Sequence, residues 1–262
     1  MPISFHERPA LVAYLTCGDP NLDAARDCAL AAISAGAAVV ELGVPFSDPV
    51  ADGPVIQRAS ERALRNGTTL EDVLDLGRAL RRQSNVGLIV FSYFNPVLQF
   101  GLERFCAAAA DIGIDGALIT DLPVEEASEY MRCMRARDLM TIFLAAPTST
   151  DQRLKRIADS SRGFVYAVSR TGVTGARDDL RQDARDLVSR LRRWTSSPIA
   201  VGFGISNAQQ FAAVGEFAEA AVVGTAIVHA IEQNPGRETE AVRQFILSLK
   251  GPTALQQSAR QT

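Results

Sequence analysis

Gly36-Ala37-Ala38-Val39-Val40-Glu41-Leu42-Gly43-Val44-Pro45-Phe46-Ser47-Asp48-Pro49-Val50-Ala51-Asp52-Gly53-Pro54 contains the transition that decides the fold. Gly36 stops a helix, and the run after it is apolar without alternation, as in a strand buried on both faces. The run then breaks into a loop whose prolines and glycines fix unusual backbone angles, so the loop has a specified shape. Glu41 sits where the strand ends, and Asp52 follows in the loop, just before Gly53-Pro54. Two carboxylates on differently shaped supports can hold different pKa values, which lets one site supply both an acid and a base. The plainer alternative pairs Glu41 with an arginine and leaves Asp48 and Asp52 as turn residues, and the spacing does not decide between the two.

The same design recurs outward from this stretch. Asp115-Gly116-Ala117-Leu118-Ile119-Thr120-Asp121 and Glu219-Ala220-Ala221-Val222-Val223-Gly224 repeat small residues, an apolar run and a polar or glycine break. Strands are predicted over 11–16, 37–42, 87–92, 116–120, 140–145, 164–168, 199–202 and 220–223. Helical spacing marks the segments between them. Asn21 caps Leu22, Ala25, Ala29 and Ile33, helices follow over 55–65 and 70–81, and Leu102, Phe105, Cys106 and Ala109 face a core. Further helices are expected over 125–135 and 151–157, around Ala184, Leu187, Val188 and Leu191, after Thr225, and around Val242, Phe245, Ile246 and Leu249. Phe94-Asn95-Pro96 is read as a strand-closing turn. Eight alternations of continuous apolar strand and helix mean parallel strands with helical crossovers. In about 250 residues they favour a closed barrel over an open sheet. The expectation is an α/β protein, a single-domain (β/α)8 TIM barrel over residues 1–250, with 251–262 a disordered tail.

Composition removes several classes of function. The chain has 262 residues, 47% of them hydrophobic, and a net charge of −3 with acids and bases interspersed, so neither disorder nor nucleic-acid binding is expected. No apolar run is long enough to span a membrane, and 9–16 leads into Gly18-Asp19-Pro20 as a strand, not a signal peptide. Cys17, Cys28, Cys106 and Cys133 are scattered, which suits reduced thiols in a cytoplasmic protein. The only histidines are His6 and His229, and the only lysines Lys155 and Lys250. None sits at a strand end, so no metal site and no lysine imine are expected. Gly202-Phe203-Gly204 lacks the third glycine of a dinucleotide fingerprint.

Barrel chemistry gathers at the C-terminal ends of the strands, here Thr16, Glu41, Ser92, Asp121, Pro147, Ser169, Gly204 and Gly224. Gly204 and Gly224-Thr225 follow the last two strands, and Thr225 opens a helix. Glycine admits an anion close to backbone N–H groups, and a helix N-terminus adds a favourable dipole, so a phosphate site is expected there. Thr171-Gly172-Val173-Thr174-Gly175 can add another N–H; the competing reading is that these glycines only make turns. Carboxylate acid–base work on a phosphorylated substrate, assisted by hydroxyls such as Tyr166 and Thr174, is as far as spacing carries the reading.

At this point the motifs become recognisable. Glu41 to Pro49 with Ala51-Asp52-Gly53-Pro54 resembles the signature of the tryptophan synthase alpha chain family. The resemblance continues through Tyr93-Phe94-Asn95-Pro96, Asp121-Leu122-Pro123, Ser169-Arg170-Thr171-Gly172-Val173-Thr174-Gly175, Gly202-Phe203-Gly204-Ile205-Ser206 and Gly224-Thr225-Ala226-Ile227-Val228. It implies retro-aldol cleavage of indole-3-glycerol phosphate, with the protonated indole ring as electron sink and neither metal nor imine.

Carried over residue by residue, it makes Glu41 the acid–base group and Asp52 the acceptor for the indole N–H. Tyr14, Leu118, Tyr166, Thr174 and Phe203 would contact the indole or the catalytic pair, and Gly175, Gly204, Gly224 and Thr225 the phosphate; for Tyr14 and Leu118 a plain core role competes. Glu41, inside an apolar barrel, should have a raised pKa, and Asp52, on a polar loop, should stay ionised. The implied partner is a beta chain that carries pyridoxal phosphate, in an alpha2beta2 heterotetramer. Residues 45–54, 95–101 and 172–179 would face it, and this chain would hold no cofactor. Two departures stand out. Only residues 1–8 precede the first strand where the family has a helix closing the barrel's bottom, which should alter stability or partner contacts. Thr225 stands where serine is commoner. A stand-alone lyase, a phosphosugar isomerase and an inactive regulatory barrel remain alternatives.

Overall fold

The computed structural model describes residues 3, 5–168, 177–202 and 204–251, with backbone alone for 177–181. The expected tail beyond Gly251 lies outside the described residues. Among the described residues nine strands form one parallel sheet: β1 (Ala10–Thr16), β2 (Ala37–Gly43), β3 (Gly87–Ser92), β4 (Gly116–Ile119), β5 (Met140–Ile142), β6 (Leu144–Ala145), β7 (Val165–Val168), β8 (Ile199–Gly202) and β9 (Ala220–Val223). Their order is β5-β4-β3-β2-β1-β9-β8-β7-β6. β5 and β6 are two pieces of one predicted strand, separated only by Phe143, whose carbonyl accepts the Tyr166 N–H at 3.2 Å. The ends of the sheet are thus joined by the chain itself, and the barrel closes.

Strand alternation sorts the core into two layers. Leu11, Ala13, Leu15, Val40 and Leu42 face the helices, whereas Val12, Val39, Ile89, Leu118, Ile142, Tyr166, Ala200 and Val222 fill the barrel axis. Both faces are buried, which is why these strands are continuously apolar.

The outer helices are α1 (Leu22–Ser34), α2 (Pro54–Arg65), α3 (Leu70–Arg81), α4 (Phe94–Phe100), α5 (Leu102–Ile112), α6 (Ser128–Ala136), α7 (Asp151–Ser160), α8 (Arg177–Leu191), α9 (Ala208–Val214), α10 (Thr225–Glu232) and α11 (Glu238–Lys250). Asn21 caps α1 through the Ala24 N–H, and Thr69 with Asp72 forms a capping box on α3. α4 corrects the reading of Phe94-Asn95-Pro96 as a turn. Pro96 lies in the first helical turn, where its missing N–H costs nothing, and Asp121 Oδ1 accepts the Phe94 N–H at 2.7 Å. α6 starts at Ser128, three residues later than expected, because Glu126 N–H bonds Pro123 O in a preceding turn.

The internal echo has a physical counterpart. Asp115, opening β4, accepts the first ladder N–H of β3 at Leu88 and pairs with Arg81, which also bonds Val86 O. Glu219, opening β9, does the same for Ile199 of β8 with Arg192, which bonds Ser197 O. Both clusters lie at the N-terminal ends of the strands. There Ile3 and Phe5 pack into the barrel's lower end, with Phe5 edge-on to Phe164 at 5.8 Å. A cavity of about 950 Å³ opens beside them, lined by His6, Arg81, Asn85 and Lys250 among others. Its Lys250 and Arg81 are paired with Glu7 and Asp115, and it lies at the end opposite Glu41 and Asp52.

Candidate active site

Glu41 follows Val39 on the axial face of β2 and is completely buried. Neither carboxylate oxygen has a hydrogen-bond partner among the described residues. Burial takes the carboxyl out of bulk water and pushes it up to about 8. The plainer reading, an arginine partner for Glu41, finds no such partner among the described residues.

Three glycines open space for the tyrosines around it. Tyr14 lies opposite Glu41 in the β1–β2 ladder. A Cβ on Gly43 would come within 2.4 Å of the Tyr14 hydroxyl, so only glycine lets that ring cross above Glu41. A Cβ on Gly224 would lie 3.3 Å from the same side chain, and one on Gly202 3.1 Å from the Tyr166 hydroxyl. Phe91 meets the Tyr14 ring edge-on at 5.0 Å. Burial raises the Tyr14 and Tyr166 phenols well above their ordinary range, and the nearby carboxylates Glu41 and Asp52 add to this in both. Both tyrosines are therefore neutral hydrogen-bonding groups at neutral pH. Leu118 is fully buried on the axial face of β4, beside Phe91 in register.

Asp52 departs from the expected solvated loop position. It is half-buried, and its Oδ2 accepts a hydrogen bond from the Tyr93 hydroxyl at 3.1 Å. That hydroxyl in turn accepts the Ala51 N–H at 2.9 Å, while Gln57 donates to the Asp52 carbonyl at 2.9 Å. Burial raises Asp52 to about 6, and the Tyr93 hydrogen bond opposes the rise. Near pH 7 Glu41 is thus mainly protonated and Asp52 mainly ionised.

Tyr93 is the residue that sequence reasoning missed as a site group. Its signal is its place directly after β3, in a motif whose proline gives it the look of a turn. Phe46 packs on its ring at 4.9 Å, fixing the start of the same loop.

At the anion end, α10 begins at Thr225 with Gly224 as its N-cap and no side-chain cap. Its first-turn N–H groups have no intrahelical acceptor. Gly204 has φ +76°, and a Cβ there would meet nothing within 4 Å, so this glycine serves backbone shape in an open position. Thr174, Gly175 and Phe203 lie outside the described residues, as does Ser169. Of the other strand-end residues, Ser92 bonds the Tyr93 carbonyl, Asp121 caps α4, and the Pro147 carbonyl accepts from Arg190. Among the described residues no group of three or more His, Cys, Asp or Glu side chains is placed to hold a metal.

Comparison with known proteins fits this geometry. The family model for the tryptophan synthase alpha chain matches residues 3–257. The tryptophan synthase alpha chain of Solibacter usitatus is 54% identical over 227 residues, covering 87% of this chain and 85% of that one. That of Geobacter sulfurreducens is 45% identical over 249 residues, covering 95% and 94%. Among solved structures, the tryptophan synthase complex of Pyrococcus furiosus is similar at TM-score 0.85 and 37% identity, covering 94% of this chain and 99% of that one. Tryptophan synthase of Mycobacterium tuberculosis is similar at TM-score 0.86 and 37% identity, covering 92% and 91%. The chain belongs to the tryptophan synthase alpha chain family.

Proposed function

We propose that the chain is the alpha subunit of a tryptophan synthase and that it cleaves indole-3-glycerol phosphate to indole and glyceraldehyde 3-phosphate. The observation that carries the catalytic assignment is Glu41, wholly buried at the barrel axis with both oxygens unpartnered among the described residues. A protonated carboxyl there gives its proton to C3 of the indole ring. The ring nitrogen takes up the positive charge, and its N–H is held by the Asp52 carboxylate. Glu41, now ionised, accepts the proton of the adjoining glycerol hydroxyl. The bond from C3 to that carbon breaks, its electron pair returns to the ring, and the carbon leaves as the aldehyde. One proton is gained and one is lost, so Glu41 ends as it began.

This route uses neither a metal nor an imine, a reading supported by where the two lysines lie. Lys155 pairs with Asp159 on α7, and Lys250 pairs with Glu7 at the barrel's other end. In the proposed roles Tyr14, Leu118 and Phe203 line the indole pocket, Tyr166 lies beside Glu41, Thr174 meets the Asp52 loop, and Gly175, Gly204, Gly224 and Thr225 bind phosphate, largely through N–H groups. No cofactor is assigned to this chain; pyridoxal phosphate is assigned to a beta chain, in an alpha2beta2 assembly. Val50 and Leu98, exposed apolar side chains on the Asp52 loop and α4, are offered as part of that contact. A cytoplasmic location is proposed with this; no described helix is long and apolar enough to cross a membrane, and the four cysteines are free and buried.

The test is indole release from indole-3-glycerol phosphate, with and without a tryptophan synthase beta chain. Slow release that rises with the beta chain supports the alpha-subunit reading. Fast release indifferent to the beta chain favours a stand-alone lyase, and no release with either sinks the lyase.

A further inference from the structure

A four-residue ion cluster lies away from the barrel axis. Arg62, on α2, presents one edge of its guanidinium to Asp19, with Nε–Oδ1 at 2.7 Å and Nη2–Oδ2 at 2.8 Å. Its remaining nitrogen, Nη1, donates to Glu232 Oε1 at 2.9 Å. Glu232, the last residue of α10, also receives Nε and Nη2 of Arg58, each at 2.8 Å. Asp19 is 2% exposed and lies in the turn after β1, where Asn66 at the end of α2 also donates to the Gly18 and Pro20 carbonyls. The two arginines hold Glu232 down to about 2, so that carboxylate is ionised at neutral pH.

The cluster joins the two helices that carry the two ends of the site. α2 begins two residues after Asp52, and α10 begins at the N–H groups beside Gly224. Ala59, between Arg58 and Arg62 on α2, and Val228, ahead of Glu232 on α10, are buried in one apolar cluster with Tyr14. The two helices are therefore held together by this apolar contact and by the bonds of Arg58 and Arg62 to Glu232, with the β1 turn as third anchor through Asp19. Only a planar guanidinium can bond Asp19 through two nitrogens and Glu232 through a third at once. A substrate that bridges Asp52 and the anion end must match their separation, and errors of about 1 Å in such placements cost about 100-fold.

We propose that Arg62 is a positioning residue whose bonds to Asp19 and Glu232 set the span between Asp52 and the N-terminus of α10, and so the length of substrate accepted. The inference rests on the proposed function, which supplies the two-ended substrate.

It is tested with Arg62→Lys and Glu232→Gln, using one two-ended ligand and two one-ended ones: an unreactive indole–alkyl phosphate, indole alone and glycerol 3-phosphate alone. Arg62→Lys is expected to weaken the two-ended ligand and to raise KM for indole-3-glycerol phosphate at least tenfold. Both one-ended ligands should stay within about twofold and kcat should fall less than KM rises, because linking two ends gains affinity only when the geometry allows both. Glu232→Gln, which leaves the Asp19 fork intact, should give a smaller loss of the same pattern, and carries the test alone if Arg62→Lys fails to fold. Equal losses for all three ligands, or none, overturn the proposal. A wild-type protein that neither binds the two-ended ligand nor releases indole overturns the proposed function instead, and the spacing role with it.

Discussion

Glu41 and Asp52 divide the acid–base work because their surroundings differ by more than the sequence implied. Glu41 titrates near 8 and Asp52 near 6, so the form with Glu41 protonated and Asp52 ionised predominates between those values. The rate of indole release should therefore follow a bell, falling below about pH 6 and above about pH 8, as a pH series of kcat/KM will check. Tyr93→Phe removes the hydroxyl that holds Asp52 down, so the acid limb should move to higher pH. An unmoved limb would mean that Tyr93 only packs.

Stability carries the same signature. Because Glu41 binds its proton more tightly folded than unfolded, its contribution to stability is fully present below about pH 4.5 and declines until pH passes about 8. Glu41→Gln abolishes that decline, worth at most about 5 kcal/mol. Its melting temperature should exceed wild type at pH 8.5 and match it near pH 4.5, while indole release falls at least 1,000-fold. The sequence exposed the two carboxylates and the burial of the first. It concealed the half-burial of Asp52, because Tyr93 arrives from a strand that is distant in the chain.

Between elements, glycines do more than turn corners. The sequence suggests anion-facing or turn-making roles for the glycines after strands, and Gly43, Gly202 and Gly224 also make room for Tyr14 and Tyr166. Nothing in a strand-end glycine shows which ring from a neighbouring strand will lean over it, so this was not legible locally. Gly43→Ala must displace the Tyr14 ring over Glu41. We expect a 10- to 100-fold loss of kcat/KM, against about 1 kcal/mol of stability, measurable by kinetics and thermal melts on one preparation. Strand positions were legible to within a residue or two because both faces are buried and the runs are continuous. Helix α4 was not, since a first-turn proline looks the same as a helix stop unless its cap is known. Here the cap, Asp121, lies 27 residues away.

At the scale of the molecule, chemistry and closure occupy opposite ends of the barrel. Glu41, Tyr14, Tyr166 and the α10 N-terminus gather where the strands end. The Asp115–Arg81 and Glu219–Arg192 pairs and the Phe5–Phe164 contact hold the ends where the strands begin. Phe5→Ala should cost about 1–2 kcal/mol of stability, less than a full core truncation because Phe5 is half-buried, and leave indole release unchanged. Eightfold alternation made this architecture readable before any coordinates. The joining of β5 to β6 through Phe143 was not readable, since a one-residue break in a strand leaves no mark in hydropathy. The most direct test of the account is a titration of the Glu41 carboxyl itself, followed by its protonated C=O stretch in infrared difference spectra of wild type against Glu41→Gln. A midpoint near pH 8 is the predicted result; a midpoint near 4.5 would contradict the account, because Glu41 could then not hold the proton it must give to the ring.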